Sequence, residues 1–281
     1  MNLKKWLMLF IVSAATAACA RLPAVKDRGT YFADESHPSQ SQNERIRFLI
    51  LHYTAEDDAE SLRLLTQGNV SAHYLIPIKP SLLGRKPVIL QLVKEDKRAW
   101  HAGISAWHGR TNLNDNSIGV EIVNKGFLED KNGQKLWFPF NDDQIAAVAA
   151  LARDIIDRYH IQAEDVLGHS DVSPLRKFDP GPLFPWGKLA ELGIGAWPDA
   201  ATVNRYLAER PPSAWVDVRS LQAALLNYGY TDMPQTGVLD DATRRVISAF
   251  QMHFRPSDIS GAPDAETYAL VQALLEKYRK T

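Results

Sequence analysis

Two histidines and an aspartate lie at or just beyond the ends of predicted strands, and their side chains can bind a metal ion. His52 follows the apolar run 46–51. His169 follows the short apolar run 166–168, and Asp179 lies in the loop beyond it. Two imidazoles and one carboxylate with an open fourth position form the ligand set of a catalytic zinc, whereas structural zinc sites are closed and usually use cysteines. The chain has a single Cys, and it has no HExxH motif, so spacing alone leaves both zinc and ordinary packing open.

Two more charged residues are candidates for the same chemistry. Glu121 interrupts the apolar stretch 117–123, where a buried carboxylate is costly unless it has a partner or a function. Lys177 precedes Asp179 by two positions, so both side chains point the same way in an extended segment, and a cation there can stabilise an oxyanion. The alternatives are an outward-facing strand residue for Glu121 and a solvated loop lysine for Lys177.

The elements that must position these residues alternate between strand and helix patterns. An Asn141–Gln144 capping box opens the stronger of two helix patterns, which carries one apolar stripe. We therefore expect an α/β fold with a mixed central β-sheet flanked by helices. Strands are predicted at 46–51, 88–93, 117–123 and 166–168, and helices at 58–66 and 141–159.

The C-terminal part of the chain has a different pattern. A helix at 200–207 is followed by a Pro-rich linker at 210–214. Residues 215–281 then repeat apolar side chains at helical spacing in three stretches separated by turn residues. We expect a small three-helix domain after the α/β domain, which would span 45–209.

The N-terminus has the features of a secretory signal. Residues 1–18 have two lysines near their start, then a short apolar run, and they end in small residues just before Cys19. This segment resembles a bacterial lipoprotein signal, in which Cys19 would be lipidated and carry palmitate. Ala20, in place of Asp, favours the outer membrane, with the protein facing the periplasm. The polar segment 19–44 is predicted to be a flexible tether. The alternative is a passive Cys19 near an ordinary cleavage site.

Composition and charge indicate a globular protein and argue against a nucleic-acid-binding one. Of 281 residues, 45% are hydrophobic and 23% charged, as expected for a globular protein. The net charge of -1 provides no electrostatic basis for a nucleic-acid partner, and a single Cys excludes an internal disulfide. We expect a monomer.

Six ordered stretches carry a family resemblance. They are similar to the zinc-dependent N-acetylmuramoyl-L-alanine amidases, a family whose fold is shared with peptidoglycan recognition proteins, over about residues 45–195. With the signal and the C-terminal helices, the likeness is greatest to outer-membrane lipoprotein members. The stretches are LHYT (51–54), VSAHYLI (70–76), AWHAG (99–103), LNDNSIGVE (113–121), GHSD (168–171) and KFDPGP (177–182).

The resemblance implies both a reaction and roles for residues. The reaction is hydrolysis of the amide between the lactyl group of N-acetylmuramic acid, or its anhydro form, and L-Ala of the peptidoglycan stem peptide, in cell-wall turnover. It implies one zinc per chain bound by His52, His169 and Asp179, with Glu121 as general base and Lys177 as oxyanion partner. Five further residues could either line the substrate cleft or only pack inside the protein: His73, Trp100, His101, Trp107 and Asn114.

Two other functions remain open at this point. One is a non-catalytic peptidoglycan receptor on the same fold, although such receptors typically have Cys at the position of Asp179. The other is a zinc endopeptidase acting on the stem peptide. The C-terminal stretches LQAAL (221–225), YGY (228–230), GVLD (237–240) and AFQ (249–251), with Asp240 and Thr243, resemble a three-helix peptidoglycan-binding module, and the alternative is a helical appendage that only packs on the catalytic domain.

Overall fold

The structure is a computed structural model that describes residues 25–279. The predicted signal segment 1–18 and the predicted lipidation site Cys19 therefore lie outside the described residues. The chain divides into two compact units, residues 1–43 and residues 44–281. None of the helices within residues 25–279 has the length and apolar character needed to cross a membrane.

The described part of the first unit is a small hairpin within the segment predicted as a tether. Strands β1 (Val25–Asp27) and β2 (Phe32–Asp34) pair antiparallel. The Asp27 side chain accepts a hydrogen bond from the Gly29 backbone in the turn, at 2.8 Å. The sequence did not predict these strands, because the segment is mostly polar and has no alternating apolar pattern. A local side-chain hydrogen bond stabilises the turn between them.

The second unit is built on a five-stranded mixed sheet, which confirms the predicted fold class. Its strand order is β13 (Val166–Gly168), β3 (Phe48–Tyr53), β10 (Ser117–Ile122), β4 (Tyr74–Ile76) and β7 (Leu90–Gln91). All neighbours are parallel except the antiparallel edge pair β4–β7. The remaining strands form two-stranded hairpins. Strands β3 to β13 are Phe48–Tyr53, Tyr74–Ile76, Leu82–Leu83, Lys86–Pro87, Leu90–Gln91, Ala106–Trp107, Arg110–Thr111, Ser117–Ile122, Phe127–Glu129, Lys135–Trp137 and Val166–Gly168.

The longest helix, α2, covers one face of the sheet as its stripe predicts. Asn141 caps it, and the reciprocal capping box with Gln144 is present. Ile145, Val148 and Ile155 are buried against strand residues in one core cluster. The helices α1 to α8 are Asp58–Gln67, Asp142–Tyr159, His169–Val172, Trp186–Glu191, Ala200–Leu207, Val218–Tyr228, Asp241–Phe254 and Ala265–Tyr278, with 3-10 turns at Leu113–Asp115 and Ala163–Asp165.

The predicted strand at 88–93 is much shorter in the structure. Only Leu90–Gln91 is a strand, because this segment forms the sheet edge and pairs with just two residues of β4. The short β4 itself was not predicted, since three apolar residues give no periodic signal.

The three C-terminal helices share their core with the sheet. One buried cluster joins Phe48 and Ile50 of β3 and Trp107 of β8 to Leu221 and Phe250 of the helices α6 and α7. Residues 44–281 accordingly form one compact unit. The helices therefore also belong to the scaffold that positions the ends of the sheet strands.

Candidate metal centre and cleft

Three parallel strands bring the candidate residues to one edge of the sheet. His52 is the fifth residue of β3, and its register partner on β10 is Glu121. On the other side of β3, Gly168 at the end of β13 pairs with Leu51, and His169 follows directly. Because the carboxyl ends of parallel strands meet at the same edge, side chains far apart in sequence converge there.

Three acceptor atoms meet at this edge. The Nδ1 atom of His52 lies 3.0 Å from His169 Nδ1 and 3.0 Å from Asp179 Oδ2, and the two atoms of His169 and Asp179 are also 3.0 Å apart. The three residues are only 1%, 4% and 6% exposed. Ligand atoms around a tetrahedral zinc with bonds of about 2.0–2.1 Å are separated by roughly 3.3 Å, so this donor set fits zinc. The structure thus brings together the three predicted ligands.

The outward nitrogens of both imidazoles have partners of their own. His52 Nε2 lies 3.0 Å from His101 Nδ1, and His169 Nε2 lies 3.1 Å from the Ala102 carbonyl oxygen. The carbonyl can only accept, so we assign the proton of His169 to Nε2, which leaves Nδ1 with a free lone pair. Such a contact fixes the tautomer and ring orientation of a metal-binding histidine.

The charge states at this cluster also suit a cation. Burial, reinforced by the neighbouring His169 ring, lowers the pKa of His52 to about 4, so this imidazole is neutral at neutral pH. Burial opposes ionisation of Asp179, but the imidazoles of His169 and His52 hold its pKa below the usual range. Neutral histidines and an ionised carboxylate are the protonation states that metal binding requires.

Glu121 contributes a carboxylate in a different state. Its Oε2 atom is buried and has no hydrogen-bond partner within residues 25–279. Burial, together with the negative charge of Asp179, raises the pKa of Glu121 to about 8, while the Lys177 ammonium acts in the opposite direction. A carboxyl group with a raised pKa beside a candidate metal centre is suited to proton transfer near neutral pH.

These groups open into a cleft of about 270 Å³. Apolar and aromatic side chains form much of its wall, and Trp100 is 53% exposed at its rim. Sequence reasoning missed several lining residues, although Tyr53 and Arg176 directly follow and precede predicted site residues. The lining residues are Tyr53, Thr54, Ala55, Leu65, Val70, Ser71, Trp100, His101, Glu121, His169, Arg176, Lys177, Phe178 and Asp179.

The other predicted cleft residues have supporting positions. Asn114 Oδ1 accepts hydrogen bonds from the backbone N–H groups of His101 and Ala102, at 3.0 and 2.8 Å, and so braces the loop that contacts both metal-site histidines. His73 is fully buried, and its Nδ1 accepts from the Gly119 backbone. Trp107 is buried against core residues. His73 and Trp107 therefore pack inside the protein, whereas Trp100 and His101 line the cleft.

The segments that carry His169 and Asp179 are packed directly against each other. The Ser170 backbone N–H donates to the Asp179 carbonyl oxygen at 2.8 Å. A Cβ atom on Gly168 would lie 2.7 Å from Cδ of Pro180, so the close approach requires glycine. This contact accounts for the Gly in GHSD.

Comparisons with known proteins agree with this geometry. The family model described as N-acetylmuramoyl-L-alanine amidase matches residues 42–182, and the model described as putative peptidoglycan binding domain matches residues 216–271. The chain is 49% identical over 276 residues to the N-acetylmuramoyl-L-alanine amidase AmiD of Escherichia coli, covering 98% of this chain and 99% of that protein.

Solved structures give the same result. A complex of E. coli AmiD with the substrate anhydro-N-acetylmuramic acid-L-Ala-D-gamma-Glu-L-Lys has a TM-score of 0.86 and 50% identity, covering 92% of this chain and 99% of that one. AmpDh3 of Pseudomonas aeruginosa has a TM-score of 0.76 and 41% identity, covering 91% of this chain and 99% of that one.

Proposed function

This chain belongs to the N-acetylmuramoyl-L-alanine amidase family, and from that premise we propose how it hydrolyses its substrate. The bond cleaved joins the lactyl group of N-acetylmuramic acid, or its anhydro form, to L-Ala of the stem peptide. The observation that carries the proposal is the convergence of His52 Nδ1, His169 Nδ1 and Asp179 Oδ2 in a cleft that also contains Glu121, whose buried Oε2 has no hydrogen-bond partner within residues 25–279. The complex of the E. coli relative with a muropeptide supports this substrate class.

The proposed cofactor is one zinc ion per chain, held by His52, His169 and Asp179. Zinc at such a site acidifies a bound water and polarises the carbonyl of the substrate. The chain contributes the neutral imidazole of His52, the ionised carboxylate of Asp179 and a His169 ring whose outward Nε2 donates to the Ala102 carbonyl, which together favour a cation at this point.

Glu121 is the proposed general base. Its buried Oε2 has no competing partner among residues 25–279, so it is free to accept the proton that the attacking water loses. The same carboxyl group then donates that proton to the leaving amine of L-Ala as the carbon–nitrogen bond breaks. A raised pKa assists the second step because it makes protonated Glu121 available near neutral pH.

Lys177 is the proposed oxyanion partner. It lines the same cleft as Glu121 and Asp179, and its positive charge lowers the pKa of Glu121. Negative charge develops on the carbonyl oxygen when water attacks, and a neighbouring ammonium group stabilises that charge. The indole of Trp100 at the rim offers an apolar face for a sugar ring.

Anchoring and wall binding complete the proposed function. Lipid on Cys19 would hold a monomeric enzyme at the outer membrane, facing the periplasm and the peptidoglycan that it cleaves during wall turnover. The domain division proposed is 45–209 for catalysis, 210–214 as linker and 215–281 for the helical domain. The match of residues 216–271 to a peptidoglycan-binding model supports wall binding by these helices.

The test is mass spectrometry of purified muropeptides incubated with the protein, before chelation, after chelation and after zinc is restored. The expected products are a muramic acid sugar with a free lactyl carboxylate and a peptide that begins at L-Ala, both lost on chelation and regained with zinc. New termini within the stem peptide would indicate an endopeptidase instead. Intact muropeptides that nevertheless bind would indicate a receptor.

A further inference from the structure

Asp171 links the C-terminal helices to the candidate metal centre. Its buried carboxylate accepts three hydrogen bonds: from the Gly168 backbone N–H at 2.7 Å, from the Tyr230 hydroxyl at 2.6 Å and from His253 Nδ1 at 2.8 Å. Tyr230 and His253 both belong to the C-terminal helical region, which the matched peptidoglycan-binding model covers. A buried carboxylate with three donors is fully satisfied and fixed in position.

The two donors from the helical region are held rigidly. The His253 ring stacks on the indole of Trp186, with centroids 3.9 Å apart and planes 15° apart. The Tyr230 ring is fully buried and packs edge-on against Trp107 at 5.0 Å. Since neither ring can turn freely, both donors place the Asp171 carboxylate at one point.

Asp171 in turn controls the segment that carries His169. Helix α3 is a single turn, His169–Val172, so it has few hydrogen bonds of its own to keep its orientation. The Asp171 carboxylate accepts a hydrogen bond from the Gly168 N–H, so His169 lies in the chain between two residues that are bonded to each other. The Ser170 N–H bond to the Asp179 carbonyl links the same turn to the third proposed ligand.

We infer that Tyr230 and His253 of the C-terminal helical region position His169 for metal binding through Asp171. The helical region is then a part of the catalytic centre's scaffold, and not only a wall-binding attachment. Asp171, Tyr230 and His253 are positioning residues, because they act through His169 and touch neither metal nor substrate. The inference rests on the proposed zinc site.

The experiment measures zinc affinity of the full chain by competition with a chromophoric chelator. We expect Tyr230→Phe and His253→Ala to bind zinc about 10-fold more weakly than the unaltered protein, the lower end of the range for lost outer partners of metal ligands, because these residues act one step further out, through Asp171. His253→Asn should restore much of the affinity, since its amide nitrogen can donate from nearly the position of Nδ1. At saturating zinc, kcat should recover more fully than zinc affinity.

Two control variants separate positioning from general destabilisation. Tyr228→Phe alters a buried tyrosine of the same region that gives Asp171 no hydrogen bond in the part of the chain described. Val271→Ala removes buried volume from the shared core on α8 and lowers thermal stability. Both should keep the zinc affinity of the unaltered protein.

The outcomes distinguish this inference from the proposed function. Unchanged zinc affinity in Tyr230→Phe and His253→Ala, with one zinc bound by the unaltered protein, would overturn the inference alone. Equal losses in Val271→Ala and Tyr230→Phe would also overturn it, since destabilisation would then explain the effect. Failure of the unaltered protein to bind zinc would instead contradict the proposed zinc site.

Discussion

Two clusters that contain histidine and aspartate share the helical turn His169–Val172, and they differ in their hydrogen bonds. In one cluster acceptor atoms face one another, whereas in the other each carboxylate oxygen faces a donor. At the metal-site cluster, His52, His169 and Asp179 direct three acceptor atoms at one point, 3.0 Å apart. At the junction cluster, which consists of Asp171, Tyr230 and His253, every acceptor of the carboxylate faces a donor.

The two clusters differ in whether their acceptor atoms already face donors. Converging lone pairs in a buried site repel one another unless a proton or a cation lies between them. In the junction cluster, by contrast, donors already bond both carboxylate oxygens of Asp171. The same residue types therefore form a candidate cation site in one place and a structural contact in the other.

Removing the carboxylate of the metal-site cluster should have the largest effect. We expect Asp179→Ala to lose stoichiometric zinc and muropeptide cleavage, because two imidazoles alone leave the cation without its charged ligand. Metal analysis after gel filtration, with a cleavage assay, tests this. Retention of one zinc per chain in Asp179→Ala would show that the ligand set is wrong.

Glu121→Gln should separate metal binding from catalysis. The amide cannot accept the proton from water, so we expect kcat to fall about 10²–10⁴-fold while zinc stays bound. Steady-state kinetics and zinc content of the same preparation are the measurements. Near-normal turnover would remove Glu121 from the role of general base.

The contact between the two ligand segments predicts an intermediate effect. In Gly168→Ala the new Cβ would lie 2.7 Å from Cδ of Pro180, and the segments would have to move apart. We expect a loss of about 1–3 kcal/mol in the free energy of unfolding, together with weaker zinc binding. Denaturant unfolding and chelator competition measure these two effects, and unchanged stability and zinc affinity in Gly168→Ala would contradict the need for glycine at this contact.

The smallest effect is expected from a substitution of Glu95, whose carboxylate lies away from the metal-site cluster and already accepts hydrogen bonds from several donors. Arg158, with help from the hydroxyls of Tyr74 and Tyr159, lowers the pKa of Glu95 to about 2, against the opposing effect of burial. A lowered pKa in the folded state means that Glu95 stabilises the protein above its unfolded pKa, and that this contribution is lost as pH falls from about 4.5 towards 2.

Glu95→Gln should therefore lower the free energy of unfolding at pH 7 by on the order of 1 kcal/mol, because the ion pair is partly exposed. The difference from the unaltered protein should shrink as pH falls below 4.5. Urea unfolding at several pH values is the measurement. A difference that stays constant with pH would show that the charge of Glu95 contributes nothing.

The sequence predicted the parts of the site that depend on strand ends. Apolar runs that end just before His52 and His169 placed both residues at strand ends, and the structure brings those ends to one edge of the sheet. The Asn141 capping box predicted the start of α2. The family resemblance added roles for Glu121 and Lys177, which stay predictions.

Other features had no sequence signal. The bond between Asp171 and His253 joins residues 82 positions apart, and no periodicity reports such a pair. The shared core of sheet and C-terminal helices was also not predicted, because apolar stripes show that a face is buried but not what covers it. His73 was ambiguous for the same reason, since an isolated histidine can face a cleft or a core.

The most direct test of the account is anomalous diffraction at the zinc absorption edge from crystals of the protein. We expect one anomalous peak, bonded to His52 Nδ1, His169 Nδ1 and Asp179 Oδ2, and no peak between Asp171 and His253. A peak at the junction cluster, or an empty metal-site cluster in crystals of protein that cleaves muropeptides, would contradict it.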